Sequence, residues 1–245
     1  MLVSVYLLVI IYFVIGAAAI ALINKRGKTS TEKRNRWIKY LVYFGIVNTV
    51  IVGIYFDFFF WLALLISLIA FFELILLLPR TGLQNRVVAI LSFLILISVF
   101  QSATWFLDPR KILYVYLLVF CFDGFAQIIG QLIGKRKITP RLSPNKTWGG
   151  FIGAFLFTIA TSAYYLLSDN SLRSSWAEAI LFGAIIALLA FGGDLFASLF
   201  KRITNVKDYG TSIPQHGGIL DRFDSFIFAL AGYYCLSQLL QINGF

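Results

Sequence analysis

Long apolar runs separated by short polar segments dominate the chain. A transmembrane helix needs about 20 predominantly apolar residues, and eight segments of the 245-residue chain meet that requirement. We predict spans at residues 2–24, 39–56, 58–78, 87–106, 112–134, 148–167, 177–200 and 223–241. Only Asp57 separates the second and third spans, which indicates a tight helical hairpin. The pattern predicts an all-α fold, a polytopic integral membrane helix bundle.

Composition agrees with a membrane protein. Hydrophobic residues make up 60% of the chain and charged residues 13%, with a mean hydropathy of +0.85. Soluble domains carry about 25% charged residues. Cys121 and Cys235 both lie in apolar runs, where cysteine acts as a small hydrophobe rather than as a disulfide or metal pair. We see no repeat and no low-complexity linker, so we predict one membrane domain over residues 1–245, whose first span is a retained helix rather than a cleaved signal peptide.

The net charge of +10 is distributed unevenly along this topology. One set of alternate loops carries 18 lysines and arginines, whereas the opposite set carries only Arg110, Lys111 and Arg173. The positive-inside rule places the first set in the cytoplasm and both termini outside. The basic surplus is therefore a topology signal and an attraction for anionic membrane lipids. We expect no nucleic-acid partner.

Three carboxylates stand out well inside predicted spans, where an unpaired charge costs several kcal/mol. We interpret Glu73 as a helix-packing carboxyl that is bonded to a neighbouring group. Asp123 is followed at i+4 and i+8 by Gln127 and Gln131, so one polar stripe runs along its helix. Such a stripe is buried in protein or faces water, and we expect it to line a site. The third carboxylate is Asp194.

Residues 198–224 form a polar island in this apolar chain. They hold four cations, three carboxylates, three glycines and the only histidine within 27 residues. Asp194, Ser198 and Arg202 share one helix face, and Asp221 and Asp224 are spaced i, i+3 at the start of the last helix. One carboxylate there would be explained by helix capping. Two of them, with Asp194 at the same depth, favour a cluster of hard oxygen ligands suited to Mg²⁺.

Two cytoplasmic loops could complement this cluster. Residues 143–150 place Lys146, Thr147 and paired glycines at the start of the sixth span. Amides at a helix N-terminus with a lysine beside them bind phosphate well, although the P-loop spacing is absent and an ordinary loop is the alternative. His216 precedes Gly217 and Gly218, whose backbone can approach a ligand closely. A structural histidine is the alternative there.

Together these residues resemble the phosphatidate cytidylyltransferase (CDP-diacylglycerol synthase) family. That family's signature reads Ser-x-x-Lys-Arg, then Lys-Asp, then Pro-x-His-Gly-Gly-x-x-Asp-Arg-x-Asp, and every fixed element is present in residues 198–224. Residues 193–194, the Ser-Pro-x-Lys-Thr-Trp block at 143–148 and the Asp-x-x-Ala segment at 123–126 agree as well. Gly149 and Gln127 depart from the usual Glu and Tyr. The resemblance is specific over residues 120–234, so we divide the chain into N-terminal helices (1–110) and catalytic helices and loops (111–245).

The resemblance implies transfer of CMP from CTP to phosphatidate, which gives CDP-diacylglycerol and pyrophosphate for phospholipid biosynthesis. It implies Mg²⁺ with K⁺ as a companion ion, a homodimer, and a bacterial inner membrane with the active site facing the cytoplasm. By this resemblance the metal ligands are Asp194, Asp221 and Asp224, and Lys201 and His216 complete the catalytic set. The substrate-binding residues it implies are Ser143, Lys146, Thr147, Ser198, Arg202, Lys207, Asp208, Gly217, Gly218, Arg222 and Asp123.

Two other function classes stay open on the sequence. One is a related CTP-dependent lipid enzyme, either a CDP-archaeol-type synthase or a polyprenol or lipid kinase, and a kinase would release CDP instead of pyrophosphate. The other is a non-enzymatic transporter with Asp123 and Asp194 as midplane ion sites. A transporter predicts an internal repeat, and it leaves the signature in residues 198–224 unexplained.

Overall fold

Eight helices and one small hairpin make up the computed structural model, which describes residues 2–25, 29–80, 82–168, 175–210, 212 and 217–239. The helices are α1 (Leu2–Asn24), α2 (Ser30–Tyr55), α3 (Phe59–Leu77), α4 (Leu83–Phe106), α5 (Pro109–Ile133), α6 (Trp148–Ser168), α7 (Trp176–Ile203) and α8 (Leu220–Leu239). A short 3₁₀ turn, Leu78–Arg80, follows α3. Strands β1 (Lys137–Thr139) and β2 (Ser143–Thr147) pair antiparallel between α5 and α6. The prediction of an all-α polytopic membrane bundle is confirmed, and the hairpin is an addition to it.

Seven of the described helices, α1 to α7, are long and apolar enough to cross a membrane. The eighth, α8, begins with three charged residues, Asp221, Arg222 and Asp224, which make its first turns polar. Large apolar side chains lie exposed on the outer surface, among them Trp61, Leu76 and Ile95. Such a surface suits hydrocarbon rather than water, as expected of an integral membrane protein.

Several helices begin earlier than their apolar runs. The second span was expected to start at residue 39, but α2 starts at Ser30. Thr29 caps it, because its hydroxyl accepts from the Glu32 amide (3.3 Å) and the Glu32 carboxylate accepts from the Thr29 amide (3.2 Å). Ser175 and Glu178 form the same capping box at the start of α7. Hydropathy located the membrane segments, whereas capping residues in the polar loops set the helix ends.

The expected hairpin between the second and third spans is confirmed. Asp57 lies in the left-handed region, with φ of 58°, and α3 begins two residues later. Aspartate tolerates this conformation better than most side chains because it can hydrogen-bond locally.

Helix α5 forms the centre of the bundle, since every residue from Ile112 to Phe122 is buried. It packs most extensively on α6, where glycines permit close approach: a Cβ at Gly150 would lie 2.6 Å from the Ala126 carbonyl oxygen. Helix α7 packs on α8 in the same way, and a Cβ at Gly193 would lie 3.1 Å from the Ser225 Cα. These close contacts bring the polar residues of α5, α7 and α8 together.

Candidate active site

Lys201 joins the end of α7 to the start of α8. Its Nζ lies 2.9 Å from Asp221 Oδ1 and 3.9 Å from Asp224 Oδ2. The Asp221 side chain is only 1% exposed, so its charge depends on this partner. Because α7 ends at Ile203 and the chain returns to begin α8 beside it, residues 20 apart in sequence form a direct ion pair. The predicted grouping of Lys201, Asp221 and Asp224 is thus present in the structure.

The second oxygen of Asp221 holds the intervening loop. Its Oδ2 accepts hydrogen bonds from the amides of Tyr209 (2.7 Å) and Gly218 (2.9 Å). Gly217 adopts a φ of +86°, and a Cβ there would lie 2.9 Å from this oxygen and 3.1 Å from Asp208 Cβ. Glycine suits position 217 for two reasons: it adopts the left-handed backbone conformation without strain, and it has no Cβ to collide with these two aspartates. Asp221 therefore does not cap α8, the alternative that the sequence offered, because its Oδ2 binds amides of the preceding loop while its Oδ1 stays with Lys201.

The β1–β2 hairpin approaches α7 from the other side. Lys146 Nζ lies 2.9 Å from Asp194 Oδ2, and the ammonium group is 5.2 Å from the centre of the Phe191 ring. Arg202 Nε donates to the carbonyl oxygen of Leu142 at the hairpin turn (2.9 Å). Two polar segments that are far apart in sequence therefore meet at the end of α7.

Asp123 joins this group from α5. It lies close enough to Asp194, Asp224 and Lys146 to interact with them electrostatically. Gln127 and Gln131, further along α5, are exposed rather than covered by a neighbouring helix. Asp123 thus comes into the group, and the glutamine end of the stripe faces outward.

Two other predicted substrate-binding residues are buried. Thr147 is 4% exposed, and its Oγ1 accepts from the Gly150 amide at 3.2 Å. The same oxygen packs against Gly130 of α5 and against Gly134, which follows α5. Thr147 therefore caps α6 and fixes its contact with α5. Ser198 is buried within α7, one turn after Asp194.

The remaining predicted residues differ in exposure. Lys207 and Asp208 are exposed on the loop before α8, while Ser143 is half-buried on β2. Arg222 is half-buried, and its Nε is buried without a hydrogen-bond partner in the part of the chain that the structure describes. Such an atom usually has a ligand or a water as its partner. His216 lies outside the described residues.

The three predicted metal ligands do not form a closed metal centre. Within the described ranges, no three Asp, Glu, His or Cys side chains converge closely enough to hold a metal ion. Asp221 Oδ2 is already bonded to two amides. Asp224 Oδ1 accepts from the Ser225 amide, and the Asp194 side chain remains 39% exposed. The Asp194 and Asp224 carboxylates lie beside Lys146 and Lys201, respectively.

Glu73 bonds a partner that the sequence did not predict. This α3 residue is 4% exposed, and its carboxylate accepts from the Ile219 amide (2.9 Å), the Leu220 amide (2.9 Å) and the Ser212 hydroxyl (2.6 Å). The interpretation of Glu73 as a carboxyl bonded to a neighbouring group is confirmed. Its partner is the N-terminus of α8, some 146 residues away in sequence. No local pattern reveals such a pair.

Tyr209 is a further residue that the sequence did not single out. Burial, reinforced by the nearby Asp224 and Asp221 carboxylates, raises the pKa of Tyr209 above its ordinary value. The phenol therefore stays neutral and donates to the carbonyl oxygen of Ala197 at 3.0 Å. Its ring centre lies 5.2 Å from Lys201 Nζ, so Tyr209 supports the lysine from the loop side.

Known proteins resemble about half of this chain. The chain is 45% identical to a phosphatidate cytidylyltransferase of Staphylococcus aureus over 121 residues, which is 49% of this chain and 45% of that protein. A protein of the same name from Staphylococcus haemolyticus is 46% identical over 121 residues, which is 49% of this chain and 45% of that protein. One from Staphylococcus epidermidis is 45% identical over 123 residues, which is 49% of this chain and 46% of that protein. These alignments span about half the length of the curated relatives.

The family comparison extends further than the relatives do. The Cytidylyltransferase family matches residues 1–240, which includes the first 110 residues, where the resemblance of the sequence was weak. The match therefore covers both the helices that support the site and those that carry it, and the chain belongs to the cytidylyltransferase family.

Proposed function

We propose that the protein transfers CMP from CTP to phosphatidate, forming CDP-diacylglycerol and pyrophosphate. One observation carries the proposal: carboxylates of α5, α7 and α8 meet two lysines at the polar end of a membrane bundle. This combination suits a reaction between a polyanionic nucleotide and a lipid phosphate. The similarity to relatives named phosphatidate cytidylyltransferase supports it.

The reaction places a simple demand on the protein. A phosphate oxygen of phosphatidate attacks the α-phosphorus of CTP, a new P–O bond forms, and the bond between the α- and β-phosphates breaks to release pyrophosphate. The nucleophile is already anionic, so no strong base is needed to create it. The barrier lies in bringing two anions together and in stabilising charge on the leaving group.

The described cations are arranged for that task. Lys201 and Lys146 are held in place by Asp221 and Asp194, so each ammonium group is ordered before substrate arrives. Arg222 brings a buried Nε that has no hydrogen-bond partner among the described residues, and such a donor suits a phosphate oxygen. We assign Lys201 and Arg222 to the triphosphate and the lipid phosphate, and Lys146 with Ser143 to the nucleotide. Arg202, Lys207 and His216 remain predicted contacts.

The donor set also suits Mg²⁺, which prefers a few carboxylates together with phosphate oxygens. Asp194 and Asp224 would hold the ion, and Asp221, the third predicted ligand, could join them only by releasing Lys201 from its Oδ1. Bound Mg²⁺ would neutralise phosphate charge and polarise the attacked phosphorus. The requirement for K⁺ and the homodimer stay predictions.

The test uses the purified full chain in detergent with radiolabelled CTP, a phosphatidate and Mg²⁺. We expect equal amounts of labelled CDP-diacylglycerol and of pyrophosphate, both lost when the divalent ion is chelated. Release of CDP with phosphorylation of an added lipid alcohol would favour the kinase alternative. Failure to form labelled lipid from any phosphatidate would refute the proposed function.

A further inference from the structure

An apolar cleft lies between α4 and α7. Both helices pack on α8 and leave a gap between them, and residues of α8 form the floor of this gap. The cleft is lined by Ala89, Phe93 and Leu96 of α4, by Gly193, Phe196, Ala197 and Phe200 of α7, by Leu220, Asp224, Ile227 and Phe228 of α8, and by Leu74 and Tyr209. We call this space the α4–α7 cleft.

The cleft is continuous with the candidate active site at one end. Asp224, which interacts with Lys201, is the only charged residue among its lining residues, and Tyr209 and Leu220 belong to the segment that Asp221 and Glu73 hold. At its rim, Phe196 is 37% exposed on the lipid-facing side of α7. The cleft therefore connects a polar site to the hydrocarbon that surrounds the bundle.

The dimensions of the cleft follow from its lining. The contributions of α4, α7 and α8 cover residues 89–96, 193–200 and 220–228, so each runs for about two helical turns. At about 1.5 Å per residue, the cleft follows these helices for roughly 10 Å. This length and the small side chains of Ala89, Gly193 and Ala197 suit a narrow, flexible, apolar occupant.

We propose that the α4–α7 cleft binds the first part of one acyl chain of the lipid acceptor. This rests on the proposed function and specifies how the acceptor is oriented. The nucleotide does not suit the cleft, because its phosphates would meet the Asp224 carboxylate among apolar walls. An acyl chain buries apolar surface there and leaves its phosphate beside Lys201. The cleft thus selects a diacyl lipid phosphate over a short, water-soluble phosphate ester.

The test fills the cleft from α4, away from the charged residues. Ala89 is 5% exposed, so Ala89→Phe places a ring in the cleft, whereas Val88→Phe places the same ring on a lipid-facing position that is 56% exposed. We expect Ala89→Phe to raise the KM for dioleoyl phosphatidate about tenfold. The KM for CTP and the KM for diacetyl phosphatidate, whose acyl groups are too short to enter the cleft, should not change, and Val88→Phe should match the wild type.

Two outcomes would overturn the cleft assignment. One is an identical KM for dioleoyl phosphatidate in Ala89→Phe and Val88→Phe, and the other is an equal rise for the long and short lipids. If Ala89→Phe fails to fold, Leu96→Trp fills the cleft from a deeper position and faces the same two outcomes. Native mass spectrometry of retained dioleoyl phosphatidate gives a readout without turnover. Lipid binding that Ala89→Phe abolishes, in a protein that forms no CDP-lipid, would support the cleft and refute the proposed function.

Discussion

At the scale of single residues, the two carboxylate oxygens of Asp221 bind different partners. Oδ1 pairs with Lys201, and Oδ2 binds the amides of Tyr209 and Gly218. Asparagine has the same shape as aspartate, but its amide offers only one acceptor oxygen and carries no charge. It can therefore replace only one of these two interactions. The loop and the lysine are therefore both sensitive to one substitution.

We expect Asp221→Asn to reduce pyrophosphate release at least about 100-fold, because Lys201 loses its buried counter-ion and the loop loses an acceptor. The measurement is the steady-state rate with CTP and phosphatidate in detergent. Asp57→Asn is the matched control, since Asp57 is exposed in the α2–α3 turn and asparagine tolerates its left-handed backbone. Equal rates in the two variants would contradict the assignment of Asp221.

Glu73 supports the site without any contact to the carboxylates. We expect Glu73→Gln to lower the free energy of unfolding by about 1–3 kcal/mol, because at least one buried amide at the start of α8 loses its acceptor. Thermal unfolding in detergent measures this loss. Glu178→Gln, at the exposed capping box of α7, should cost less. A larger loss at Glu178 than at Glu73 would contradict this reading.

At the scale of elements, the β1–β2 hairpin and α7 are joined by Lys146 and Asp194. We expect Lys146→Met to raise the KM for CTP about tenfold, which corresponds to about 1.4 kcal/mol of lost binding. The control is Lys137→Met, since Lys137 is exposed on β1 of the same hairpin. A KM for CTP that is equal in both variants would show that Lys146 does not bind the nucleotide.

The elements also show what a sequence can and cannot reveal. The spans could be predicted because burial in lipid requires long apolar runs, whatever the tertiary contacts. The start of α2 at Ser30 could not, because it depends on a capping box within a charged segment. The hairpin at residues 137–147 was missed because two short strands with mixed polar residues have no clear alternation.

The residues of the candidate site could be identified from the sequence, but their partners could not. Lys201, Asp194, Asp221 and Asp224 were identified because charged residues in apolar surroundings are rare and require a function. The partner of each charge could not be assigned, since Lys146–Asp194 and Glu73–Leu220 are tertiary contacts between distant segments. The signature also suggested Thr147 as a ligand contact, whereas the hydroxyl caps α6.

At the scale of the whole molecule, the basic loops predict which side of the membrane carries the site. We expect a cysteine introduced at Asn145 to react with a membrane-impermeant maleimide only from the cytoplasmic side. A cysteine introduced at Arg110 should react only from the opposite side. Both positions are exposed, and Cys121 and Cys235 would be replaced by alanine to remove background labelling. Labelling in the reverse order would invert the proposed topology.

The contact of Glu73 with α8 also affects which parts of two related proteins can be joined into a working hybrid. A hybrid that takes α1 to α4 from one relative and α5 to α8 from another would join well in sequence at the loop before α5. It would still leave the Ile219 and Leu220 amides without an acceptor unless the donor of α3 supplied an acidic side chain at the depth of Glu73. Compatibility between the halves therefore depends on this carboxylate as well as on the packing of α4 against α8, and we expect a hybrid without an acidic side chain there to be less stable than the same hybrid with glutamate introduced.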